Sequence, residues 1–236
     1  MSGLVFIISA PSGSGKSTLV NELRKFVREL DFSVSYTTRP PRGSEQEGRE
    51  YHYISRQRFE QMIAAGEFLE HAEVFGNYYG TARRFLDEAT ARGHDLLLDI
   101  DVQGAEQLRK KLPDAISIFV LPPSRRELEL RLRNRSSAEN VHDQEVIRRR
   151  LDTASREISN YRLYDYILVN DRLGDSIERF KAIVMCERLR HAPQPPASED
   201  RELVRLAQSC RLEQSRECIQ SILDTFQQSG ASAVPK

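Results

Sequence analysis

The 236-residue sequence predicts an α/β fold, a parallel sheet with helices on both faces. Three observations predict it. Short apolar, β-branched runs at residues 4–8, 95–101, 116–121 and 166–170 have the length and composition of strands buried on both faces. Segments of helical periodicity stand between them. The first run also passes directly into a small-residue loop, Ser9-Ala10-Pro11-Ser12-Gly13-Ser14-Gly15-Lys16-Ser17-Thr18, which delivers the chain into a helix beginning near Lys16.

That loop has the chemistry of a phosphate cradle. Gly13 and Gly15 let backbone N–H groups approach an anion, the helix N-terminus adds its dipole, Lys16 supplies a point charge, and Ser17 offers a hydroxyl to Mg²⁺. The pattern G-x-x-x-x-G-K-[ST] is met except at its first glycine, here Ala10, which a negative φ would accommodate. The fold class is therefore that of a P-loop NTPase-type sheet.

Composition narrows the remaining classes. With 35 basic and 35 acidic residues the net charge is +0, so nothing in the overall balance recruits nucleic acid or a membrane. No apolar run approaches the roughly 18 residues of a spanning helix, and no basic segment precedes the first apolar run. A cytoplasmic protein is expected. Three cysteines without C-x-x-C spacing predict reduced thiols, and five histidines scattered singly predict no histidine metal site.

The first helix is expected to end near Leu30. An alternating strand over residues 32–39 then runs into Pro40-Pro41-Arg42-Gly43, which holds Arg39 and Arg42 on a stiff bend. Residues 51–54 read as a short strand, and Ser55 caps a helix with Phe59, Met62 and Ile63 on one face, closed by Gly66. Residues 67–74 alternate again, Gly76-Asn77 turns, and Tyr78-Tyr79-Gly80-Thr81 leads to a helix ending at Gly93. Residues 33–92 thus form an α+β insertion. The core resumes in a strand over residues 95–101 that ends in Asp99 and Asp101, where a P-loop fold meets Mg²⁺ and its waters.

A helix to about Leu112 stops at Pro113. After the strand at residues 116–121, Ser124-Arg125-Arg126-Glu127 is a capping box opening a helix with Arg131, Arg133 and Arg135. A polar stretch to His142 follows, and Asp143 caps a second helix with Arg148, Arg149 and Arg150. Two arginine-bearing helices joined by a polar loop read as a lid over residues 125–150. The core is then residues 1–32, 93–124 and 151–190, with its last helix over residues 177–189. Residues 191–200 form a Pro-rich linker, and residues 201–236 an amphipathic helical tail that either packs back on the body or meets a partner subunit.

The loop fixes a phosphate donor, so the acceptor must be read from the insertion. Arg39 and Arg42 with the Tyr51 and Tyr79 hydroxyls suit a phosphate monoester, since planar guanidiniums grip two oxygens at once and phenols add neutral donors.

Together with the loop, Ser35-Tyr36-Thr37-Thr38-Arg39-Pro40-Pro41-Arg42, Gly48-Arg49-Glu50-Tyr51, Glu67-Phe68-Leu69-Glu70, Gly76-Asn77-Tyr78-Tyr79-Gly80-Thr81 and Leu98-Asp99-Ile100-Asp101-Val102-Gln103-Gly104 closely resemble guanylate kinases. The resemblance covers residues 3 to about 190. It implies ATP- and Mg²⁺-dependent phosphorylation of GMP and dGMP, with residues 33–92 binding the monophosphate. It further implies that Arg39, Arg42, Tyr51 and Tyr79 hold the GMP phosphate, and that Ser35, Glu70 and Thr81 line the guanine pocket. Asp101 would lie on the acceptor side and Asp99 on the Mg²⁺ waters. Residues 10–18 would hold the ATP phosphates, Asn170 would lie beside the adenine, and Arg131, Arg135 and Arg150 would reach the transferring phosphates. The stretch between Arg135 and Arg150 is a few residues longer than the usual lid loop, which leaves Arg148, Arg149 and Arg150 as alternatives. Guanine complements the assigned pocket: its N1–H and N2–H₂ donors face a carboxylate and its O6 faces a hydroxyl.

Two other readings remain. Guanylate-kinase-like modules of scaffold proteins bind peptides and generally lack a working Gly-Lys-Ser/Thr cradle, whereas Gly15, Lys16, Ser17, Asp99 and Asp101 are all present here. A kinase for another nucleoside monophosphate would share the donor site and differ at Ser35 and Glu70. The sequence leaves monomer and homo-oligomer equally open.

Overall fold

The computed structural model describes residues 3–43, 45–74, 76–138, 144–192 and 201–227. In chain order its elements are β1 (Val5–Ser9), α1 (Lys16–Phe26), β2 (Leu30–Ser33), β3 (Tyr36–Thr37), β4 (His52–Tyr53), α2 (Arg56–Ala64), β5 (Phe68–Val74), β6 (Asn77–Ala82) and α3 (Arg84–Arg92). There follow β7 (Asp95–Asp99), α4 (Val102–Lys111), β8 (Ile116–Leu121), α5 (Arg125–Ala138), α6 (Gln144–Ile158), a 3₁₀ turn (Ser159–Leu163), β9 (Tyr166–Val169), α7 (Leu173–Arg190), α8 (Arg201–Ser209) and α9 (Arg216–Gln227). The chain packs as two units, Met1–Ser9 with Arg28–Ser117 and Ala10–Val27 with Ile118–Lys236.

In the first unit β7 lies between β1 and β2, all parallel, with Val5 opposite Leu96 and Leu30 opposite Asp95. Phe6, Ile7, Ile8, Leu96, Leu97 and Leu98 are all buried, which is why these strands are continuously apolar and not alternating. A second sheet of order β4-β3-β6-β5 is antiparallel except at β3–β4. It closes with α2 over Phe59, Met62, Phe68 and Ala82. Ser55 caps α2 as expected, its Oγ accepting from the Arg58 N–H at 3.2 Å, a contact of about 1 kcal/mol.

In the second unit β8 and β9 pair in parallel from Ile118–Tyr166 to Leu121–Val169. Helix α1 packs on α7, and α5 and α6 share a core of Leu128, Leu132, Ile147, Leu151 and Ala154. Parallel strands flanked by helices make the fold mixed α/β, as the sequence predicts.

Several boundaries differ from expectation. Helix α1 ends at Phe26, not near Leu30, because Val27 is extended and Glu29 turns the chain at φ 56°, so that Leu30 begins a strand. The strand expected over residues 32–39 is two strands in two sheets, β2 on β7 and β3 on β6, since the hydrogen-bonding partner changes between Ser33 and Tyr36. Strand β7 stops at Asp99. Asp101 is instead the N-cap of α4, its Oδ1 accepting from the Gly104 N–H at 2.7 Å. The lid boundary drawn at residue 150 falls inside α6, which is continuous to Ile158. Over its described residues, 201–227, the tail is two helices and packs back on the body: α8 lies on α7. Residues 139–143, with the expected Asp143 cap, and 193–200 of the linker lie outside the described residues.

Candidate active site

The predicted donor-side residues from Ala10 to Thr18, with Arg131, Arg135, Arg150 and Asn170, belong to the second unit. The predicted acceptor-side residues Ser35, Arg39, Arg42, Tyr51, Glu70, Tyr79, Thr81 and Asp101 belong to the first, as does Asp99, predicted to meet the Mg²⁺ waters.

On the donor side, the loop turns through a Ser14 N–H to Pro11 carbonyl bond of 3.1 Å and enters α1 at Gly15, which sits at φ 85°. That left-handed conformation needs glycine, and a Cβ there would stand 2.4 Å from the Asn170 Nδ2. Ala10 does not have a positive φ, so its departure from the glycine pattern is harmless. Helix α1 opens without a side-chain cap and without an acid in its first turn. Its leading N–H groups and dipole therefore meet no acid of the helix's own first turn, an arrangement that suits phosphate.

The loop is braced from behind. Asn170, 5% exposed, donates its Nδ2 to the Ser14 carbonyl at 2.7 Å, so its amide is spent on the loop backbone. Arg131 donates to the same carbonyl at 3.3 Å and to the Asn170 carbonyl at 3.1 Å, while its Nε meets Glu127 at 2.9 Å. Arg131 thus helps to shape the cradle as well as lending it charge. Among the three alternatives on α6, Arg148 and Arg149 are exposed and pair with Glu145. Arg150 is the one turned to α5, its Nη1 reaching the Ser136 Oγ at 3.1 Å. Arg135 is exposed on α5.

On the acceptor side, Arg39 is 6% exposed, and its Nη2 donates to both oxygens of the Glu45 carboxylate, at 2.9 and 3.0 Å. Burial opposes its charge, but Glu45 and the Tyr79 hydroxyl outweigh that and raise its pKa further. Glu45 also accepts from the Arg42 backbone N–H at 2.8 Å and the Tyr53 hydroxyl at 2.9 Å. Burial works to raise its pKa, yet these bonds bring it below the usual carboxylate value. The Tyr51 ring lies 5.4 Å from the Arg39 guanidinium carbon and edge-on to Tyr79 at 5.8 Å. Burial, then the charge of Asp99, pushes the Tyr51 phenol up to about 12, so it is a neutral donor. The Arg39 guanidinium and the Tyr51 and Tyr79 rings thus lie together, while Arg42 is exposed and is tied to them through its backbone N–H on Glu45.

Glu70 is 5% exposed on β5 and accepts the Thr81 hydroxyl at 2.7 Å. Burial raises its carboxyl to about 7; Asp101 adds to the rise, whereas Thr81 and Lys111 oppose it. Ser35 precedes β3, its carbonyl accepting from the His52 N–H at 2.9 Å. Sequence reasoning missed Glu45 and Tyr53, whose only signal is an acid six residues after Arg39 and a second tyrosine two after Tyr51. It also missed Gly104, where a Cβ would stand 2.5 Å from the Glu70 Oε2.

Among the described residues, no group of three or more His, Cys, Asp or Glu could hold a metal ion, and no helix is long and apolar enough to cross a membrane. Cys186, Cys210 and Cys218 are free. Mg²⁺ is a hard cation that takes one or two protein oxygens and completes its shell with water and phosphate; the Ser17 hydroxyl of the second unit is an oxygen of that kind, and so is the Asp99 carboxylate of the first.

A glycine-lined cradle at the head of a helix on a parallel α/β core defines the class, a P-loop nucleotide-binding protein. The family profile described as Guanylate kinase matches residues 2–187. A guanylate kinase of Koribacter versatilis is 58% identical over 226 residues, covering 96% of this chain and 97% of its own, so the alignment takes in most of the tail. That of Escherichia coli strain K12 is 47% identical over 194 residues, 81% of this chain and 92% of its own. In three dimensions the chain is similar to the guanylate kinase of Anaplasma phagocytophilum, with a TM-score of 0.67 and 34% identity over 86% of this chain and 94% of that one. The chain belongs to the guanylate kinase family.

Proposed function

We propose that this chain transfers the γ-phosphoryl group of ATP to a phosphate oxygen of GMP, or of dGMP, giving ADP and the nucleoside diphosphate. The observation that carries the acceptor is the buried Glu70 carboxylate held by Thr81: ionised, it accepts from guanine N1–H and N2–H₂, while adenine would set an acceptor against it. A site whose buried polar groups are left unpaired by the wrong base can discriminate by about 10⁴ or more. Ser35 supplies the hydroxyl for O6.

The residues divide the work. Arg39, Arg42, Tyr51 and Tyr79 hold the GMP phosphate, and Glu45 holds the Arg39 guanidinium in place for it. With a second pKa of about 6 that phosphate is already largely dianionic at neutral pH, so no strong base is needed. The backbone from Ala10 to Gly15, with Lys16 and Thr18, cradles the ATP phosphates, and Asn170 keeps the cradle in shape near the adenine side. Lys16, Arg131, Arg135 and Arg150 offset the charge that develops on the transferring group, a class of contribution worth about 10³–10⁵ in rate for a supplied arginine. Ser17 directly, and Asp99 partly through water, would hold Mg²⁺, which would supply positive charge to the phosphates. Asp101 orients the acceptor side.

The test is a panel of nucleoside monophosphates with ATP and Mg²⁺, read by ADP release. GMP and dGMP are expected to turn over, and AMP, CMP and UMP at least about 10²-fold more slowly. Equal turnover of AMP and GMP would overturn the acceptor reading.

A further inference from the structure

Residues 201–227 lie beyond the family match, which ends at residue 187. Besides the packing of α8 on α7, hydrogen bonds anchor them at two points. At the first, the turn between α8 and α9 adds to β9: the Cys210 carbonyl accepts from the Ile167 N–H at 2.7 Å, and the Leu212 N–H donates to the Asp165 carbonyl at 3.2 Å. Arg211 lies 4.2 Å over the Tyr166 ring and donates to Glu187 at 2.7 Å. Glu187, 4% exposed, also accepts from Arg190 and from the Tyr166 hydroxyl. A buried carboxylate held by two guanidiniums and a phenol fixes this turn in place.

At the second point α9 reaches the start of α5. Thr225 Oγ1 accepts the Arg125 backbone N–H at 3.0 Å and donates to the Ile222 carbonyl at 2.7 Å. Arg125 is the first residue of α5, so Thr225 satisfies one of its otherwise orphaned donors. Phe226 packs against the core cluster that Leu128, Leu132, Ile147, Leu151 and Ala154 form. The same Leu128 and Leu132 stand 3.0 Å from where a Cβ on Gly13 would be, and Arg131 between them holds the Ser14 carbonyl. Helix α5 needs this help, because Leu130 is 51% exposed and only Leu128 and Leu132 of its leucines are buried.

We propose that Thr225 and Phe226 are positioning residues for the ATP cradle: they pin α5 so that Leu128, Arg131 and Leu132 hold the loop from Gly13 to Gly15 in its phosphate-binding shape. The proposal rests on the reading of that loop as the ATP phosphate site. Its test uses the full chain with Phe226→Ala, Phe226→Leu, Thr225→Val and Thr225→Ser, measuring the Kd for Mg²⁺-ATP by calorimetry, KM for each substrate, kcat and Tm. Phe226→Ala is expected to weaken ATP binding about fivefold to tenfold, with KM for GMP within about twofold of wild type and with Phe226→Leu largely restoring ATP affinity. Thr225→Val should weaken ATP about twofold to threefold and Thr225→Ser not at all. If Phe226→Ala fails to fold, the Thr225 pair decides alone. ATP affinity unchanged in Phe226→Ala and Thr225→Val, or a loss shared equally by ATP and GMP alongside a lower Tm, would overturn the proposal and leave the tail a purely structural addition. A wild-type chain that binds no Mg²⁺-ATP would overturn the reading of the loop itself.

Discussion

Thr81 donates its hydroxyl to Glu70 at 2.7 Å, and both side chains are buried, at 0% and 5% exposure. The bond opposes, without cancelling, the effect of burial, which lifts the Glu70 carboxyl to about 7 from its ordinary 4.5, with Asp101 adding to the rise and Lys111 opposing it. Because the folded pKa is the higher one, the native state keeps a proton that the unfolded chain releases between these values. The stability tied to Glu70 is fully present below pH 4.5 and is lost as pH rises through 7, a change of up to about 3 kcal/mol. Glu70→Gln, always neutral, is expected to lack this slope. Tm measured from pH 4.5 to 8 should therefore fall less with rising pH in the variant than in wild type; parallel curves would show that Glu70 is ionised throughout.

The same substitution tests recognition. A neutral amide offers guanine one acceptor in place of two and no charge, so KM for GMP should rise by about 10²-fold or more, with ATP affinity unchanged. An unchanged KM for GMP would remove Glu70 from the guanine pocket.

Gly104 is the floor on which Glu70 rests. A methyl group there would stand 2.5 Å from the Glu70 Oε2 and from the Ile100 Cγ2, distances that no real contact shows. Gly104→Ala is expected to displace the carboxylate, raise KM for GMP about tenfold and narrow the preference over AMP, with a smaller change in KM for ATP. Steady-state kinetics with GMP and AMP in parallel would check this, and an unaltered GMP/AMP ratio would count against it.

Glu45 binds Arg39 through both oxygens and also holds the Arg42 backbone and Tyr53. Removing it leaves Arg39 without its forked partner in a site only 6% exposed. Glu45→Gln should raise KM for GMP about tenfold, more than it lowers kcat, because the guanidinium is no longer aimed before the phosphate arrives. A fall in kcat alone would place Glu45 in the chemistry instead.

Lys16→Ala should lower kcat by at least about 10²-fold while Tm barely moves, since the loss is of charge at the transferring phosphate and not of packing. Retention of more than about a tenth of wild-type kcat, a loss under about 1.4 kcal/mol, would deny Lys16 that role.

Local chemistry was legible in the sequence wherever it is set by neighbours along the chain. The cradle at Gly13, Gly15 and Lys16, the Ser55 cap and the continuously apolar β1 and β7 follow from residue type and spacing, because short-range sterics and two-sided burial leave few alternatives. The motif set around Arg39, Glu70 and Asp99 likewise pointed to the family. What the sequence could not carry is partnership at long separation. Nothing local says that residues 30–33 and 36–37 pair in different sheets, since both read as one alternating run and only the available strand edges divide them. Asp101 looked like a strand end until α4 supplied the N–H that its carboxylate caps. The tail was equally compatible with a partner subunit or with the body. The contacts of Arg211 with Glu187 and of Thr225 with Arg125, 24 and 100 residues apart in sequence, exist only once the chain has folded, and they place the tail's described residues on the body.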